Sequence, residues 1–416
     1  MPTISIKYGE TVLPLEVPSS LQEIRPPILD LPSIDISQEL AAALYSADLA
    51  LENYFKGGKN LLIIIPDRTR KCGLDLLLPR FLTILKDYGF NSSNTVFLIA
   101  NGIHLPGGRE IYREILGAEV VDHYLIRQHD CDSHVLNLGV TSRGTPIEIN
   151  PLIIKSDRVF AIGGSLPHYF AVYGGGPKMI LPGCSSRRSI TQNHRLSLNL
   201  DPNWIPGSDS GSIEDNVLIQ DIIEAVKLLP LIYYCGILLG HDELPRRFFA
   251  GEINATYCKL TAEAEKLFCV TDNCQADTVI VSPGGHPKDI DLLQTHKSMY
   301  HAAAALKNGG EMLVFARCRE GIGSKNLETL FTLGELKQIS HSLLQRYLIN
   351  GQTAVSLMQM GKKFSVKIYT ELDDAALKML NFSRLSLEEA YNLLNKNNGT
   401  TQFYLPAGAM TRYKRG

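Results

Sequence analysis

The chain of 416 residues has a single tryptophan, no Cys-x-x-Cys pair, almost no net charge and no long apolar run. Each shortage excludes something. The eight cysteines, at positions 72, 131, 184, 235, 258, 269, 274 and 318, form no dense framework, which argues against a disulfide-stapled secreted module. They read as reduced, mostly buried thiols of a cytoplasmic protein. Lys plus Arg number 41 against 43 for Asp plus Glu, a formal charge of -2, so coating nucleic acid or an anionic membrane is not the main task. The longest apolar stretches, such as 61–66 and 228–239, fall short of the roughly 18 residues that span a bilayer. Residues 1–18 lack the basic-then-apolar profile of a secretory signal. No Gly-x-Gly-x-x-Gly opens a helix after a strand, which weighs against a nicotinamide-dependent oxidoreductase.

What is present is an ordinary globular composition, 44% hydrophobic and 20% charged. One domain per ~150 residues predicts two or three domains. Residues 4–8 and 11–17 alternate apolar and polar around Gly9-Glu10, the pattern of a hairpin. A proline-rich loop follows over 18–32, and 37–54 has helical spacing. A short, continuous apolar run then recurs before a polar or glycine-rich turn. Runs at 60–66, 95–100, 158–162, 278–281 and 312–316 precede turns ending in Arg70, His104, His168, His286 and Gly321. Such runs are strands buried on both faces of a parallel sheet. Helices are predicted over 74–88 and 292–307, the second stopping at Gly309-Gly310. The expectation is an α/β fold of two domains, 1–270 and 271–416, with mostly parallel, Rossmann-like sheets and an active-site cleft between them. The basic tail, 404–416, reads as a solvated terminus.

In open α/β sheets ligands sit at the carboxyl ends of the strands, where the distinctive polar residues of this chain lie. Asp67-x-Thr69-Arg70 offers a guanidinium fork for a carboxylate or phosphate, steadied by its neighbours, though a loop salt bridge would look the same. His104 and His168 end separate strands of one sheet edge, an arrangement suited to two-sided proton transfer. Gly174-Gly175-Gly176-Pro177-Lys178 lacks the spacing of a phosphate-binding loop. Its glycines admit close approach of a bulky group, and Lys178 can serve as a covalent anchor or an anion partner. The run from His129 to His134 holds ligand types for zinc or nickel at no standard structural spacing. Gln294 and Lys297 share one face at the start of the second predicted helix.

Together these strings resemble the nickel-dependent lactate racemase family. The matching features are Asp67-x-Thr69-Arg70, Gly102-x-His104, His168 followed ten residues later by Lys178, Pro182-Gly183, His194, and Gly285-x-Pro287-x-Asp289 leading to Gln294-x-x-Lys297. The resemblance implies a nickel-pincer nucleotide, a pyridinium mononucleotide with two sulfur-bearing arms. It would be tethered to Lys178, with Gly174, Gly175 and Gly176 packed near it and His194 as the protein ligand to nickel. It further implies inversion of C2 of a 2-hydroxy acid by reversible hydride transfer through a 2-oxo acid. Arg70, with Asp67 beside it, would hold the substrate carboxylate. His104 and His168 would exchange base and acid roles, and Gln294 and Lys297 would orient the substrate oxygens. Independent chemistry agrees: a C2–H beside an ionised carboxylate is a poor acid, and oxidising then re-reducing C2 avoids the carbanion.

There are departures. The lactate-specific member has a pocket tryptophan in its C-terminal domain, whereas the tryptophan here is Trp204, and Leu293 stands before Gln294 where an aromatic is usual. These put lactate itself in question and leave a sugar acid (aldonate), inverted by a C2 epimerase, as an equal alternative. A non-catalytic nickel or cofactor carrier is the alternative of another class. The implied partners are the small hydroxy acid and the enzymes that make the cofactor; neither nucleic acid nor membrane is expected. Cys184 reads as packing.

Overall fold

The computed structural model describes residues 1–46, 51–207, 211–396 and 399–415. Two six-stranded sheets organise it. The first runs Pro245–Glu252, Ile232–Leu239, Arg158–Ser165, Leu61–Pro66, Thr95–Ala100, Leu125–Gln128, with the Pro245–Glu252 edge antiparallel and the rest parallel. In chain order this is the doubly wound arrangement, and the order reverses between Leu61–Pro66 and Arg158–Ser165. All six residues of Leu61–Pro66 are buried, as a strand covered on both faces requires. One cover is the helix Leu74–Asp87, whose Leu74, Leu77, Leu78, Phe81, Leu82 and Leu85 recur at three- and four-residue spacing and are buried. Each such side chain contributes roughly 1.5–3 kcal/mol when buried.

The second sheet runs Ser383–Arg384, Ser365–Tyr369, Leu306–Phe315, Ala276–Val281, Gln402–Leu405, Gln22–Glu23, and is parallel throughout. Its order reverses beside Ala276–Val281, so this sheet too has a switch point. The predicted hairpin forms, as Thr3–Tyr8 and Thr11–Glu16. It packs on the second sheet, with Ile6, Leu15 and Val17 buried against Ile280, Leu313 and Phe315. Residues placed by sequence in the span 1–270 thus begin on the C-terminal sheet, where Gln22–Glu23 forms the exposed edge strand beside Gln402–Leu405.

Several expectations are corrected. The second predicted helix covers Leu292–Ala304, and Gly309-Gly310 do not cap it. They lie inside Leu306–Phe315, where residues 307–310 loop out between the paired positions Leu306 and Glu311. The tail is not solvated: Arg412–Arg415 pairs in parallel with Cys269–Asp272, and Arg412 is 1% exposed against Glu265. Of the helix predicted over 37–54, Ile36–Tyr45 and Leu51–Phe55 are helical, and 47–50 lie outside the described residues. All eight cysteines are free thiols, five of them buried. Among the described residues no helix is long and apolar enough to cross a membrane.

Candidate active site

Three neighbouring strands of the first sheet deliver half of the site. Leu61–Pro66 lies between Thr95–Ala100 and Arg158–Ser165, so the turn carrying Asp67 and Arg70 is flanked by the strand leading to His104 and the strand leading to His168. The Arg70 amide donates to the Asp67 carbonyl at 3.1 Å, closing the turn. Asp67 Oδ1 accepts from the Thr69 amide at 2.7 Å and its hydroxyl at 2.6 Å, and Oδ2 is 2.9 Å from His104 Nδ1. Burial by itself would raise the Asp67 carboxyl. The hydrogen bond and charge of His104, then Arg70 and Thr69, outweigh it and hold the group well below the usual carboxylate range. An ionised carboxylate only accepts, so Nδ1 of His104 carries the proton and Nε2 is the free ring nitrogen.

His168 lies in the two-residue strand Pro167–His168, paired antiparallel with Val172–Tyr173. Its ring is nearly parallel to that of Tyr169, with centroids 5.5 Å apart, and meets Phe170 edge-on at 4.4 Å. Its Nδ1 is buried without a hydrogen-bond partner. Burial first, then the charges of Lys178, Lys297, Arg70 and His194, push this imidazole well below its ordinary range. His168 is a neutral ring at pH 7.

Lys178 stands in the single turn Gly176–Met179 and is buried, its Nζ resting 5.2 Å from the Phe170 ring centre. Burial, then the positive charges of Arg70 and Lys297, lower it well below a normal lysine. His194, in the last turn of the helix Arg187–Arg195, meets the same Phe170 ring edge-on with centroids 5.2 Å apart. Burial followed by Lys178, against the backbone carbonyl of Ile190, brings its imidazole down to about 3.

The second sheet supplies the helix Leu292–Ala304, whose first turn is capped by Asp291 accepting from the Gln294 amide at 2.7 Å. Gln294 Oε1 in turn accepts from Lys297 Nζ at 2.6 Å. Burial is the main cause that brings Lys297 down to about 7, aided by Arg70 and opposed by Asp291 and Asp67. The mutual influence of Lys297, Arg70, Lys178, His168 and Asp67 places both halves of the site in one electrostatic cluster. A cavity of about 760 Å³ extends behind His168 and Phe170, lined also by Leu196, Ser197, Asn199 and Asn216.

The glycine run has a local reason for its composition. Gly175 and Gly176 have φ of +74° and +54°, and a Cβ would lie 2.5 Å from the Tyr234 hydroxyl and 2.4 Å from the Tyr257 ring. Those tyrosines donate to the carbonyls of Gly163 and Tyr173, clamping the turn that presents Lys178. Gly174 has room for a side chain, its nearest contact being 3.7 Å; its amide donates to Leu166.

In the His129–His134 string, His129 Nε2 is taken by the Ser185 carbonyl at 2.9 Å and Asp132 by Arg187 at 2.6 Å. Asp130, Cys131 and Asp132 bring ligand atoms within 4.8 Å of one another, but both carboxylates are exposed. Cys184 is fully buried, and burial pushes its thiol up, so it packs rather than reacts.

Four residues take roles that no single motif assigns. Tyr169 and Phe170 build the aromatic wall, and the available signal was their position directly after His168. Asp289 accepts from the amides of Gly9 at 2.7 Å and Arg317 at 3.2 Å, tying the hairpin to the loops of the second sheet. Trp204, remote in sequence, packs in the same core as the Leu292–Ala304 helix, its ring centre 6.2 Å from Tyr300.

Two doubly wound sheets contributing strand-end imidazoles, amines and a guanidinium to one cluster define an α/β enzyme. Comparison with known proteins gives the particular kind. The family model described as lactate racemase N-terminal domain matches residues 8–204, and that described as lactate racemase C-terminal domain matches 271–396. The lactate racemase of Thermoanaerobacterium thermosaccharolyticum is 28% identical over 338 residues, covering 80% of this chain and 78% of the relative. That of Lactiplantibacillus plantarum is 27% identical over 277 residues, covering 66% and 64%. The structure of the lactate racemase apoprotein from T. thermosaccharolyticum superposes with a TM-score of 0.88 at 25% identity, covering 99% of this chain and 100% of that one. A crystal structure from Thermotoga maritima shares the fold, at TM-score 0.71 and 16% identity over 92% of this chain and 97% of that one. The chain belongs to the lactate racemase family and is an isomerase.

Proposed function

We propose that this protein is a racemase or epimerase that inverts C2 of a 2-hydroxy acid through a 2-oxo acid, using a nickel-pincer nucleotide held by Lys178 and His194. The observation that carries the reading is that His104 and His168 follow the two strands either side of the one that leads to the Asp67–Arg70 turn. Each enantiomer presents its hydroxyl toward a different side, so inversion needs a proton acceptor on both. Arg70 anchors the carboxylate by its fork. His104 receives a hydroxyl proton at Nε2, with Asp67 stabilising the ring as it becomes charged. His168, neutral through burial, does the same from the other side, and the two exchange roles with direction. Lys297, steered by Gln294, stabilises the developing oxo oxygen.

The residues fit the cofactor. Lys178 is a buried amine whose burial lowers it well below a normal lysine, which favours the uncharged form that attachment through a carbonyl-type carbon requires. His194 offers a buried, neutral imidazole beside the Phe170 ring that Lys178 also faces, the state in which imidazole binds nickel. When bound, the group supplies a reversible hydride acceptor.

The test is production in cells that also make the cofactor, followed by intact mass, nickel content and chiral analysis of a panel running from lactate to aldonates. Added mass at Lys178, nickel, and inversion of at least one substrate are expected. An unmodified Lys178 and no nickel under those conditions sink the cofactor assignment. Bound nickel with no turnover on any substrate would favour a carrier.

A further inference from the structure

We propose that Tyr169 is a positioning residue for His168, held in place by Thr353 on a distant helix; the proposal rests on the function assigned above. The two histidines are not oriented alike. His104 is fixed by the Asp67 carboxylate, whereas the buried Nδ1 of His168 has no acceptor. The plane of the His168 ring is therefore set by packing, between Tyr169 and Phe170.

Tyr169 is in turn anchored. The helix Gly351–Lys363 is buried from 351 to 361, yet carries Gln352, Thr353, Ser356 and Gln359. Burying such groups is costly unless each finds a partner, and each does. Gln352 Oε1 accepts from the Asn199 amide at 2.8 Å, Ser356 Oγ meets His296 Nε2 at 2.7 Å, and Gln359 Nε2 donates to the Asp201 carbonyl at 3.3 Å. Thr353 Oγ1 meets the Tyr169 hydroxyl at 2.5 Å, across 184 residues of sequence. The Tyr169 ring is further wedged edge-on against His296 at 4.6 Å and Phe170 at 4.7 Å. Three of the four polar residues tie the helix to the segment 169–201, which carries Lys178 and His194; the fourth ties it to the helix that carries Lys297. Of these ties, the Thr353 bond ends on the ring that faces His168. It sets the tilt of His168, as Asp67 sets that of His104, through a ring contact instead of a hydrogen bond.

The variants are Tyr169→Phe, Thr353→Val, the double substitution and Thr353→Ser, in the cofactor-loaded enzyme, with imidazole nitrogen shifts recorded in histidine-labelled protein. Each single loss of the bond is expected to lower kcat about 3–10-fold with KM within about twofold. The double variant should lose no more than either single one, because one interaction is being removed twice. Thr353→Ser, which restores the hydroxyl, should return to within about twofold of wild type. The His168 nitrogen resonances should move in Tyr169→Phe while those of His104 stay. Wild-type kcat in Tyr169→Phe, multiplied losses in the double variant, or an unmoved His168 overturns the proposal. If the wild-type protein turns over no hydroxy acid, the proposed function fails, and the nitrogen shifts alone decide the positioning role.

Discussion

Asp67 Oδ2 lies 2.9 Å from His104 Nδ1, and the other oxygen of the same carboxylate is occupied by Thr69. The couple fixes both the tautomer and the tilt of the imidazole, leaving Nε2 for the substrate. Asp67→Asn keeps the shape but turns the acceptor into a group that can donate to Nδ1, which favours the tautomer with its proton on Nε2. We expect kcat to fall by about 100-fold or more with the melting temperature near that of wild type. A variant with unchanged kcat would remove His104 from the proton-transfer step.

Lys297 gives the activity a pH limb whose sign is set by its lowered value of about 7. Below that pH the amine is charged and attracts an anionic substrate; above it the charge is lost. Because kcat/KM reports the free enzyme, it should decline as pH rises through about 7. Lys297→Arg keeps its charge to above pH 12, so the decline should vanish in that variant even where its overall rate is lower. The measurement is kcat/KM from pH 6 to 9 for both proteins, and parallel profiles would refute the assignment.

The parts of this architecture legible in the sequence are those written in local pattern. The strands Leu61–Pro66 and Thr95–Ala100 announce themselves as continuous apolar runs because both their faces are covered. The site turns follow because they begin where the runs stop. What was illegible depends on non-local pairing. Arg412–Arg415 is a strand with no apolar run, made regular by Cys269–Asp272 far back in the chain. Gly309-Gly310 looks like a helix end and is a loop-out inside a strand, since the pairing with Ala276–Val281 resumes only at Glu311. Tyr169 and Thr353 carry no motif, and only the fold brings their hydroxyls together.

Lys178 makes a stability prediction independent of any cofactor. Its folded value lies below the unfolded one of about 10.4. Between those two values the unfolded chain binds the extra proton, so stability rises with pH. Below the folded value the penalty is constant and largest. In cofactor-free protein, Lys178→Met should therefore be more stable than wild type at pH 7, with the difference shrinking toward pH 10 at no more than about 1.4 kcal/mol per pH unit. Urea midpoints at pH 7, 8.5 and 10 measure it, and a constant or widening difference would mean that Lys178 is charged in the folded state.

Arg412 tests whether the C-terminal strand is structural. It lies 5.0 Å over the Tyr173 ring, pairs with Glu265 and donates to the Gly211 carbonyl at 3.1 Å. Glu265 also receives the Tyr173 hydroxyl at 2.8 Å and pairs with Lys414. Removing one partner of a fully buried ion pair costs about 3–5 kcal/mol, because the other charge is stranded. Here Lys414 and Tyr173 remain and Glu265 is about a third exposed, so solvent screening reduces the loss. Arg412→Met, which keeps most of the stem, should cost about 2 kcal/mol in urea unfolding. Truncation after Leu405 removes the strand paired with Cys269–Asp272 and the Tyr413 ring that lies 6.0 Å from Phe403, and should abolish cooperative unfolding. Full stability in both proteins would restore the reading of a solvated tail.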